Sequence, residues 1–231
     1  MTTSTTSTSK NRGLLILLEG LDRAGKTTQC QMLCNSLNEA NGPGSCRVQK
    51  VPDRTTQIGQ MINSYLASKT TLPDQSIHLL FSANRWELRQ TILDSIYSGQ
   101  TVILDRYVPS GVAYSLAKGV ADMPIDWCIA PERGLPRPDI TLFLDIEPEH
   151  ANIQSTREDF GQERYEVSEF QVRVRACFKE ILGDGEKNSG VLDMGKVITI
   201  DACKDIKTVA ADIWQAVQSQ DVESSEIATI T

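Results

Sequence analysis

The sequence predicts an α/β fold in which helices flank a single parallel, doubly wound sheet. Short apolar runs, typical of buried strands, alternate along the 231 residues with longer segments that carry apolar residues at helical spacing. A glycine-rich turn directly follows the first apolar run, at the sheet edge where proteins of this class bind ligands. Because no internal repeat or linker divides the chain, we expect one domain over residues 13–218.

Four apolar runs and one short candidate segment between turn residues account for the strands. The strands are predicted at 14–18, 47–51, 101–104, 140–144 and 197–200. The Gly-Pro-Gly sequence at 42–44 forces a turn before the second strand. Pro52 ends that strand, because proline cannot donate a hydrogen bond to a neighbouring strand.

Helices are predicted after the glycine-rich turn and at 56–68, 73–98, 110–118, 148–156, 168–182 and 205–217. The first carries Leu33 and Leu37 one helical turn apart. Pro73 opens the longest helix, since proline is favoured in a first turn, and Gly99 closes it.

The composition excludes several classes of protein. The net charge is −7 and no Lys/Arg block is present, which argues against a general nucleic-acid binder. The six cysteines lack paired C-x-x-C spacing, so reduced thiols are expected rather than a zinc site. No apolar run reaches the length of a membrane span, so no membrane partner is expected.

Both ends of the chain are expected to lie outside the domain. Residues 1–12 are rich in Ser and Thr and predict a disordered tail, while 219–231 predict a polar tail that frays. A mitochondrial presequence would also be rich in Ser, but this stretch lacks interspersed Arg and an amphipathic pattern. Cytoplasmic residence with access to the nucleus is therefore the expectation.

The glycine-rich turn fits a phosphate-binding loop. Residues 20–27 read Gly-Leu-Asp-Arg-Ala-Gly-Lys-Thr and match the pattern G-x-x-x-x-G-K-[ST]. Backbone N–H groups and the positive end of the following helix favour phosphate oxygens there. Lys26 can reach the β- and γ-phosphates and Thr27 can hold Mg²⁺, so the loop predicts a nucleoside triphosphate site rather than a plain βα turn.

Charged side chains follow three of the predicted strands. Asp105 ends the strand at 101–104, where a carboxylate can orient Mg²⁺ or its waters, and Arg106 follows at once as an anion-binding candidate. Asp145 ends the next strand as a rival, although a capping role is the better interpretation there. Arg54 faces either the same phosphate crevice or solvent.

The long helix carries a cation within an apolar stripe. Ile77, Phe81, Leu88 and Ile92 form the stripe, and Arg85 lies four residues after Phe81 on the same face. Such a cation needs a partner, because an unpaired buried charge is costly. Two interpretations remain open. Phe81 and Arg85 either bind a planar heterocycle, or they belong to the core and to a salt bridge.

Residues 157–167 join two predicted helices and carry both signs of charge. They fit a mobile lid that closes over a nucleotide, or an ordinary exposed loop.

Together these segments resemble the thymidylate kinase (dTMP kinase) family from about Gly13 to Val217. The matching stretches are LEGLDRAGKTTQ at 18–29, PDR at 52–54, HLLFSANRWE at 78–87, DRYVPSGVAY at 105–114, GLPRPDITLFLDI at 134–146, FGQERYE at 160–166 and IDACKDI at 200–206. The resemblance implies a P-loop nucleoside-monophosphate-kinase fold with a five-stranded sheet. It also implies transfer of the γ-phosphoryl group of Mg·ATP to dTMP, giving dTDP and ADP for DNA synthesis.

The resemblance also implies roles for individual residues. ATP would contact Gly20, Ala24, Gly25, Lys26, Thr27, Thr28, Arg157, Ala202 and Cys203. The acceptor dTMP would contact Asp22, Arg54, Phe81, Arg85, Arg106, Gly111, Tyr114, Tyr165 and Gln171. The catalytic residues would be Asp22, Arg23, Lys26 and Asp105, with Thr27 and Asp105 holding Mg²⁺, partly through water. A homodimer packed through helices is implied, with Trp86 as a contact.

The position of one arginine indicates the type within the family. Arg23 lies inside the phosphate loop, which resembles the eukaryotic and viral type, whereas the bacterial type carries its basic residues in the lid.

Three rival functions are weaker. A GTP-dependent switch would need an N-K-x-D motif and a D-x-x-G motif, and neither occurs at the corresponding strand ends. A deoxynucleoside kinase would need a carboxylate base, whereas Arg54 and Arg106 suit an acceptor that already carries phosphate. An inactive nucleotide-binding module does not explain why Lys26, Thr27 and Asp105 are all intact.

Overall fold

The computed structural model describes residues 12–147, 164–165, 167–185, 188–220 and 225–231. Its strands are Leu15–Gly20 (β1), Cys46–Lys50 (β2), Thr101–Asp105 (β3), Ile140–Asp145 (β4), Gly183–Gly185 (β5), Asn188–Ser189 (β6) and Lys196–Asp201 (β7). Its α-helices are Lys26–Asn41 (α1), Gln57–Leu66 (α2), Asp74–Tyr97 (α3), Val108–Leu116 (α4), Ile125–Ile129 (α5), Ser168–Leu182 (α6) and Ile206–Gln218 (α7), with a 3₁₀ turn at Ala130–Glu132.

The central sheet has five parallel strands in the order β2-β3-β1-β4-β7, and β5 and β6 form a separate two-stranded hairpin. All six residues of β1 are buried, as a central strand covered on both faces requires. Leu18 of β1 lies opposite Asp105 of β3, and Gly20 lies opposite Leu144 of β4. The register therefore brings the carboxyl ends of three strands to one edge, and the predicted doubly wound sheet is confirmed.

The predicted helices agree with the structure to within about two residues at most ends. The helix predicted at 110–118 begins earlier, at Val108, because Pro109 occupies its first turn, where proline is favoured. The short α5 was not predicted, because five residues are too few to show helical periodicity. The helix predicted at 148–156 lies outside the described residues.

The predicted tail at 1–12 is wrong for Arg12. Its guanidinium is buried and forms two hydrogen bonds to the Asp139 carboxylate, at 2.8 and 2.6 Å. The same carboxylate accepts the backbone N–H of Leu15 at 2.8 Å, at the start of β1. Arg12 therefore belongs to the fold, because its charge is paired across the sheet edge rather than solvated.

The prediction that 219–231 frays is wrong for residues 225–231. Ile227 and Ile230 are buried, and Ile230 exchanges two backbone hydrogen bonds of 2.9 Å with Gly134 and Leu135. Two apolar side chains and an ordered backbone pairing hold this segment, although its composition is mostly polar.

Among the described residues, no helix combines the length and the apolar character that a membrane span requires. The six cysteines form no disulfide, and four of them are buried.

Candidate active site

A cleft of about 1760 Å³ opens at the carboxyl ends of the strands. The sequence-predicted residues that line it are Asp22, Arg23, Ala24, Gly25, Lys26, Thr27, Thr28, Arg54, Phe81, Arg85, Asp105, Arg106, Gly111, Tyr114, Tyr165 and Ala202. Gln171 does not line the cleft but contacts Asp22, which does. Arg157 lies outside the described residues.

The turn between β1 and α1 has the backbone of an anion-binding loop. A Cβ atom at Gly20 would lie 2.5 Å from the Leu144 carbonyl oxygen, so only glycine fits where β1 meets β4. Gly25 and Arg23 adopt left-handed φ angles of 79° and 66°. No side chain caps the N-terminus of α1, and its first turn contains no acidic residue. Its first N–H groups are therefore not capped by a side chain of the helix itself and can bind an anion from the cleft.

Lys26 is the cation at the centre of this loop. Its side chain is buried, and its ammonium group donates to the carbonyl oxygen of Leu21. Burial and the nearby Arg106 charge lower the pKa of Lys26 to about 8, although nearby carboxylates oppose the shift. In the ligand-free protein, Lys26 is therefore partly neutral just above neutral pH.

We expect triphosphate binding to make the protein take up protons at alkaline pH. The phosphate charge favours the protonated form of Lys26, so its pKa rises on binding, and about half a proton is absorbed at about pH 8. Nearly none is absorbed at about pH 6.5, where Lys26 is already charged. Calorimetric titration of Mg·ATP in two buffers of different ionisation enthalpy measures this uptake. No uptake between about pH 8 and 9 would contradict the assignment, and Lys26→Met is the matched control.

A hydroxyl group and a carboxylate lie together beside the loop. The Thr27 hydroxyl donates to the Asp105 carboxylate at 2.6 Å, and Asp105 is buried at the end of β3. The rival carboxylate, Asp145, is instead engaged by Arg175 at 2.7 Å and by Lys179 at 3.0 Å. Asp145 therefore ties β4 to α6 through side-chain ion pairs, rather than capping an element as expected.

Asp22 gathers three side chains on the other side of the loop. Its carboxylate accepts from Arg106, from the Tyr114 hydroxyl at 2.9 Å and from the Gln171 amide at 2.9 Å. Burial raises the pKa of Asp22, but the Arg106 and Lys26 charges and these hydrogen bonds lower it overall. Asp22 is therefore a permanent anion that joins the loop to α4 and α6.

Arg106 has a left-handed backbone, with φ 69°, and its side chain reaches back to the loop. One terminal nitrogen donates to the Gly20 carbonyl oxygen and to the Ser110 hydroxyl, both at 3.1 Å, and the other donates to Asp22. This fork spans the loop and the first turn of α4. The predicted placement of Arg106 beside the phosphate loop is therefore observed.

Sequence reasoning missed Glu19, which supports Arg106. Its fully buried carboxylate accepts the backbone N–H groups of Tyr107 and Ser110, at 2.9 and 3.0 Å, and the Ser110 hydroxyl at 2.7 Å. Burial raises the pKa of Glu19, while Arg106 and these hydrogen bonds oppose the rise. The signal was available, because an acid inside an otherwise apolar strand calls for a partner.

Arg85 forms the salt bridge that one interpretation of the long helix expects, and it also lines the cleft. Its guanidinium forms a fork with the fully buried carboxylate of Glu132, in which the Nε bond is 2.8 Å. Arg85 also lines the cleft, and a Cβ atom at Gly111 would lie 2.7 Å from one of its terminal nitrogens. Phe81 lies one turn away, lines the cleft and packs against the small cluster that includes Ile62.

Asn84 orders the loop that carries Arg54, and it too was missed. Asn84 is fully buried; it accepts the Asp53 N–H at 2.8 Å and donates to the Asp53 carbonyl oxygen at 3.1 Å. Arg54 donates to Asn63 at 2.9 Å and lines the cleft. A polar residue at a buried helix position was the signal for Asn84.

The described end of the predicted lid packs against α2. The Tyr165 hydroxyl lies 3.1 Å from that of Tyr65, and Arg164 donates to the Tyr65 carbonyl oxygen at 3.2 Å. The Tyr165 carbonyl oxygen accepts from Gln171 at 2.9 Å, and the Tyr165 and Tyr114 rings are 5.6 Å apart. These contacts form an aromatic wall beside Asp22.

The opposite end of the cleft lies beside the end of β7. Ala202 is buried and lines the cleft, whereas Cys203 is exposed and its backbone N–H donates to Asp201 at 3.0 Å. Lys204 and Lys207 also line this end.

Comparisons with known proteins agree with this geometry. A family model described as thymidylate kinase matches residues 18–213. The chain is 42% identical to thymidylate kinase of Danio rerio over 211 residues, covering 91% of this chain and 96% of the relative. It is 42% identical to the human thymidylate kinase over 201 residues, covering 87% and 91%. A solved structure of thymidylate kinase from Candida albicans superimposes with a TM-score of 0.81 at 40% identity, covering 95% of this chain and 99% of the other.

Proposed function

This chain belongs to the thymidylate kinase family, and from that premise we propose which residues bind each substrate and which promote the transfer. The protein is a kinase that acts on dTMP. The observation that carries the proposed division is the Asp22–Arg106 pair, which joins the phosphate loop to the second half of the cleft. ATP binds on the loop side of this pair, and dTMP binds on its other side.

The donor side consists of the loop and the end of β7. The backbone N–H groups around Gly25 and the Lys26 ammonium group hold the phosphates of ATP, because they supply positive charge at an uncapped helix N-terminus. Ala202 and Cys203 flank the adenine, which is supported by the position of Ala202 at this end of the cleft.

Mg²⁺ fits beside the loop. Thr27 and Asp105 offer hydroxyl and carboxylate oxygens, the ligands that this ion prefers, within 2.6 Å of each other. In the part of the chain that the structure describes, no group of three or more His, Cys, Asp or Glu residues could form a complete metal cage. Thr27 and Asp105 would thus hold Mg²⁺ together with water and phosphate oxygens, and the ion would neutralise phosphate charge.

The acceptor side accommodates a nucleoside monophosphate. Arg54 and Arg106 hold the phosphate of dTMP, and Asp22 accepts a hydrogen bond from the sugar 3′-hydroxyl. Phe81 stacks on thymine while Arg85 bonds its edge, with Gly111 leaving room for that guanidinium. Tyr114 and Tyr165 form the wall of the sugar and base pocket, and Gln171 lies near it, where it donates to Asp22 and to the Tyr165 carbonyl oxygen.

The transfer is promoted mainly by neutralising charge. An oxygen of the dTMP phosphate forms a bond to the γ-phosphorus, and the bond to the bridging oxygen of ADP breaks, with ADP leaving with the electron pair. The attacking oxygen is already anionic, so no strong general base is required. Arg23, Lys26 and Arg106 all line the cleft, and their charges offset the repulsion between the two phosphate groups.

A panel of acceptors tests this assignment. With Mg·ATP, we expect ADP to form with dTMP, and to form at least about 10³-fold more slowly with thymidine or GMP. Thymidine leaves Arg54 and Arg106 without the phosphate that they are arranged to bind, while GMP presents a different base edge to Arg85. A coupled assay of ADP release measures all three. Comparable turnover of thymidine would assign the cleft to a nucleoside kinase instead.

We further propose a homodimer that packs through α3. Leu79, Trp86 and Tyr97 are exposed by 40–51%, and with Ala83 and Leu93 they form an apolar stripe along the outer face of this 24-residue helix. Burying such a stripe against a second copy removes apolar surface from water.

Light scattering should give twice the 25.5 kDa mass of one chain, and Leu79→Asp should shift it toward 25.5 kDa. Leu79 is the better probe, because the Trp86 indole also donates to the Pro131 carbonyl oxygen at 2.8 Å. Val172→Asp, at an exposed valine on α6, is the matched control. A monomeric mass for the unmodified protein would refute this arrangement.

A further inference from the structure

The segment 225–231, called the strap below, lies antiparallel to residues 134–137. Gly134 donates to the Ile230 carbonyl oxygen at 2.9 Å, Ile230 donates back to Leu135 at 2.9 Å, and Arg137 donates to Ala228 at 2.8 Å. The Ile230 side chain is only 2% exposed and belongs to the main hydrophobic core. The strap is therefore a packed part of the fold.

Residues 134–137, which pair with the strap, follow Glu132 closely in the chain. This carboxylate is fully buried and holds the Arg85 guanidinium from below the cleft. On the side of α3, the segment around Glu132 is fixed by hydrogen bonds from Ser82 and Trp86 to the Pro131 carbonyl oxygen, at 3.1 and 2.8 Å. From the other side, the strap forms backbone hydrogen bonds with Gly134, Leu135 and Arg137. The position of Glu132 is thus set from two directions.

Arg85 has little freedom to adapt if Glu132 moves. The guanidinium lies so close to α4 that a Cβ atom at Gly111 would be 2.7 Å and 2.9 Å from its two terminal nitrogens. A carboxylate fork also fixes the plane of the guanidinium, since both of its bonds lie in that plane. A small shift of Glu132 therefore rotates the edge that Arg85 presents to the cleft.

We propose that the strap positions the dTMP site by holding Glu132 against Arg85. This inference rests on the proposed role of Arg85 toward the thymine base. The strap touches neither substrate, so Ile230 is a positioning residue. We expect its effect to fall on the acceptor, because the backbone hydrogen bonds of the strap go to Gly134, Leu135 and Arg137 and not to the phosphate loop or the end of β7.

The test uses the full chain with Ile230→Asp, which places a charge in a buried apolar position, and with the milder Ile230→Ala. We expect KM for dTMP to rise about tenfold in Ile230→Asp, while KM for ATP stays within about twofold. Thr229→Ala, at the exposed neighbouring side chain, should leave both constants unchanged. Should Ile230→Asp fail to fold, Ile230→Ala should show the same selectivity with a smaller rise. An equal rise for both substrates, or no rise, would overturn the role of the strap.

A double-mutant cycle identifies the route of the effect. In a Glu132→Gln background, Ile230→Asp should add no more than about a twofold rise in KM for dTMP, because both changes act through one contact. Fully additive effects would overturn the inference. Arg85→Lys separates the two proposals. If it leaves KM for dTMP unchanged, the proposed role of Arg85 fails; if it raises KM and Ile230→Asp does not, only the role of the strap fails.

Discussion

Replacing Arg23 with glycine should lower kcat by about 10³-fold while KM for ATP and for dTMP changes by less than about threefold. The proposed role of the Arg23 guanidinium is to stabilise the negative charge of the transferring phosphoryl group. This stabilisation is strongest in the transition state, when the group lies between donor and acceptor. Such an interaction contributes to turnover rather than to ground-state binding.

Glycine is the informative substitution because of the backbone. Arg23 has a φ of 66°, which glycine adopts freely and alanine does not, so the loop geometry is retained when the side chain is removed. Ser68→Gly changes another left-handed residue, at φ 55°, and serves as the matched control. Steady-state kinetics with both substrates varied gives the three constants. An unchanged kcat would remove Arg23 from the transfer step.

Replacing Arg106 with lysine should lower kcat/KM for dTMP by about 100-fold, or ~2.7 kcal/mol of transition-state stabilisation. The guanidinium reaches the Gly20 carbonyl oxygen, Ser110 and Asp22 at once, and an ammonium group cannot reproduce this fork. The charge survives, but its placement between the two phosphate groups does not. The pKa of Asp22 should also rise, because it is held low chiefly by Arg106 against the effect of burial.

Arg47→Lys is the control for this exchange. Arg47 also uses several nitrogens, toward Ser95 at 2.9 Å and Gln49 at 2.9 Å, but it does not line the cleft. We expect kcat/KM for dTMP in Arg47→Lys to stay within about twofold of that of the unmodified protein. A larger loss for ATP than for dTMP in Arg106→Lys would place Arg106 on the donor side and contradict the assignment.

The sheet and the loop could be predicted from sequence because their signals are local. Four of the five strands are apolar runs, the second is a short mixed segment between turn residues, and the loop motif depends on spacing within eight residues. Since the carboxyl ends of parallel strands share one edge, Asp105 and Arg106 were expected beside the loop, and they lie there. The order of the strands was not predicted, because periodicity does not report which strands pair.

The remaining parts of the site depend on partners far apart in the chain. Arg85 stands out as a cation on an apolar stripe, but nothing near it in sequence indicates that Glu132, 47 residues away, is its partner. Asp145 and Asp105 look alike at their strand ends, and only the packing of α6 shows that Arg175 engages the first of them. The strap was missed for the same reason, because its backbone pairs with residues that precede it by more than 90 positions.

The most direct test of the central claim is a crystal structure of the protein with dTMP and a non-hydrolysable ATP analogue. The triphosphate should lie on residues 20–28, with the phosphate of dTMP between Arg54 and Arg106 and thymine against Phe81 and Arg85. The Arg23 guanidinium should point to the γ-phosphate. Binding of dTMP outside this half of the cleft, or an acceptor phosphate that contacts neither arginine, would contradict the account.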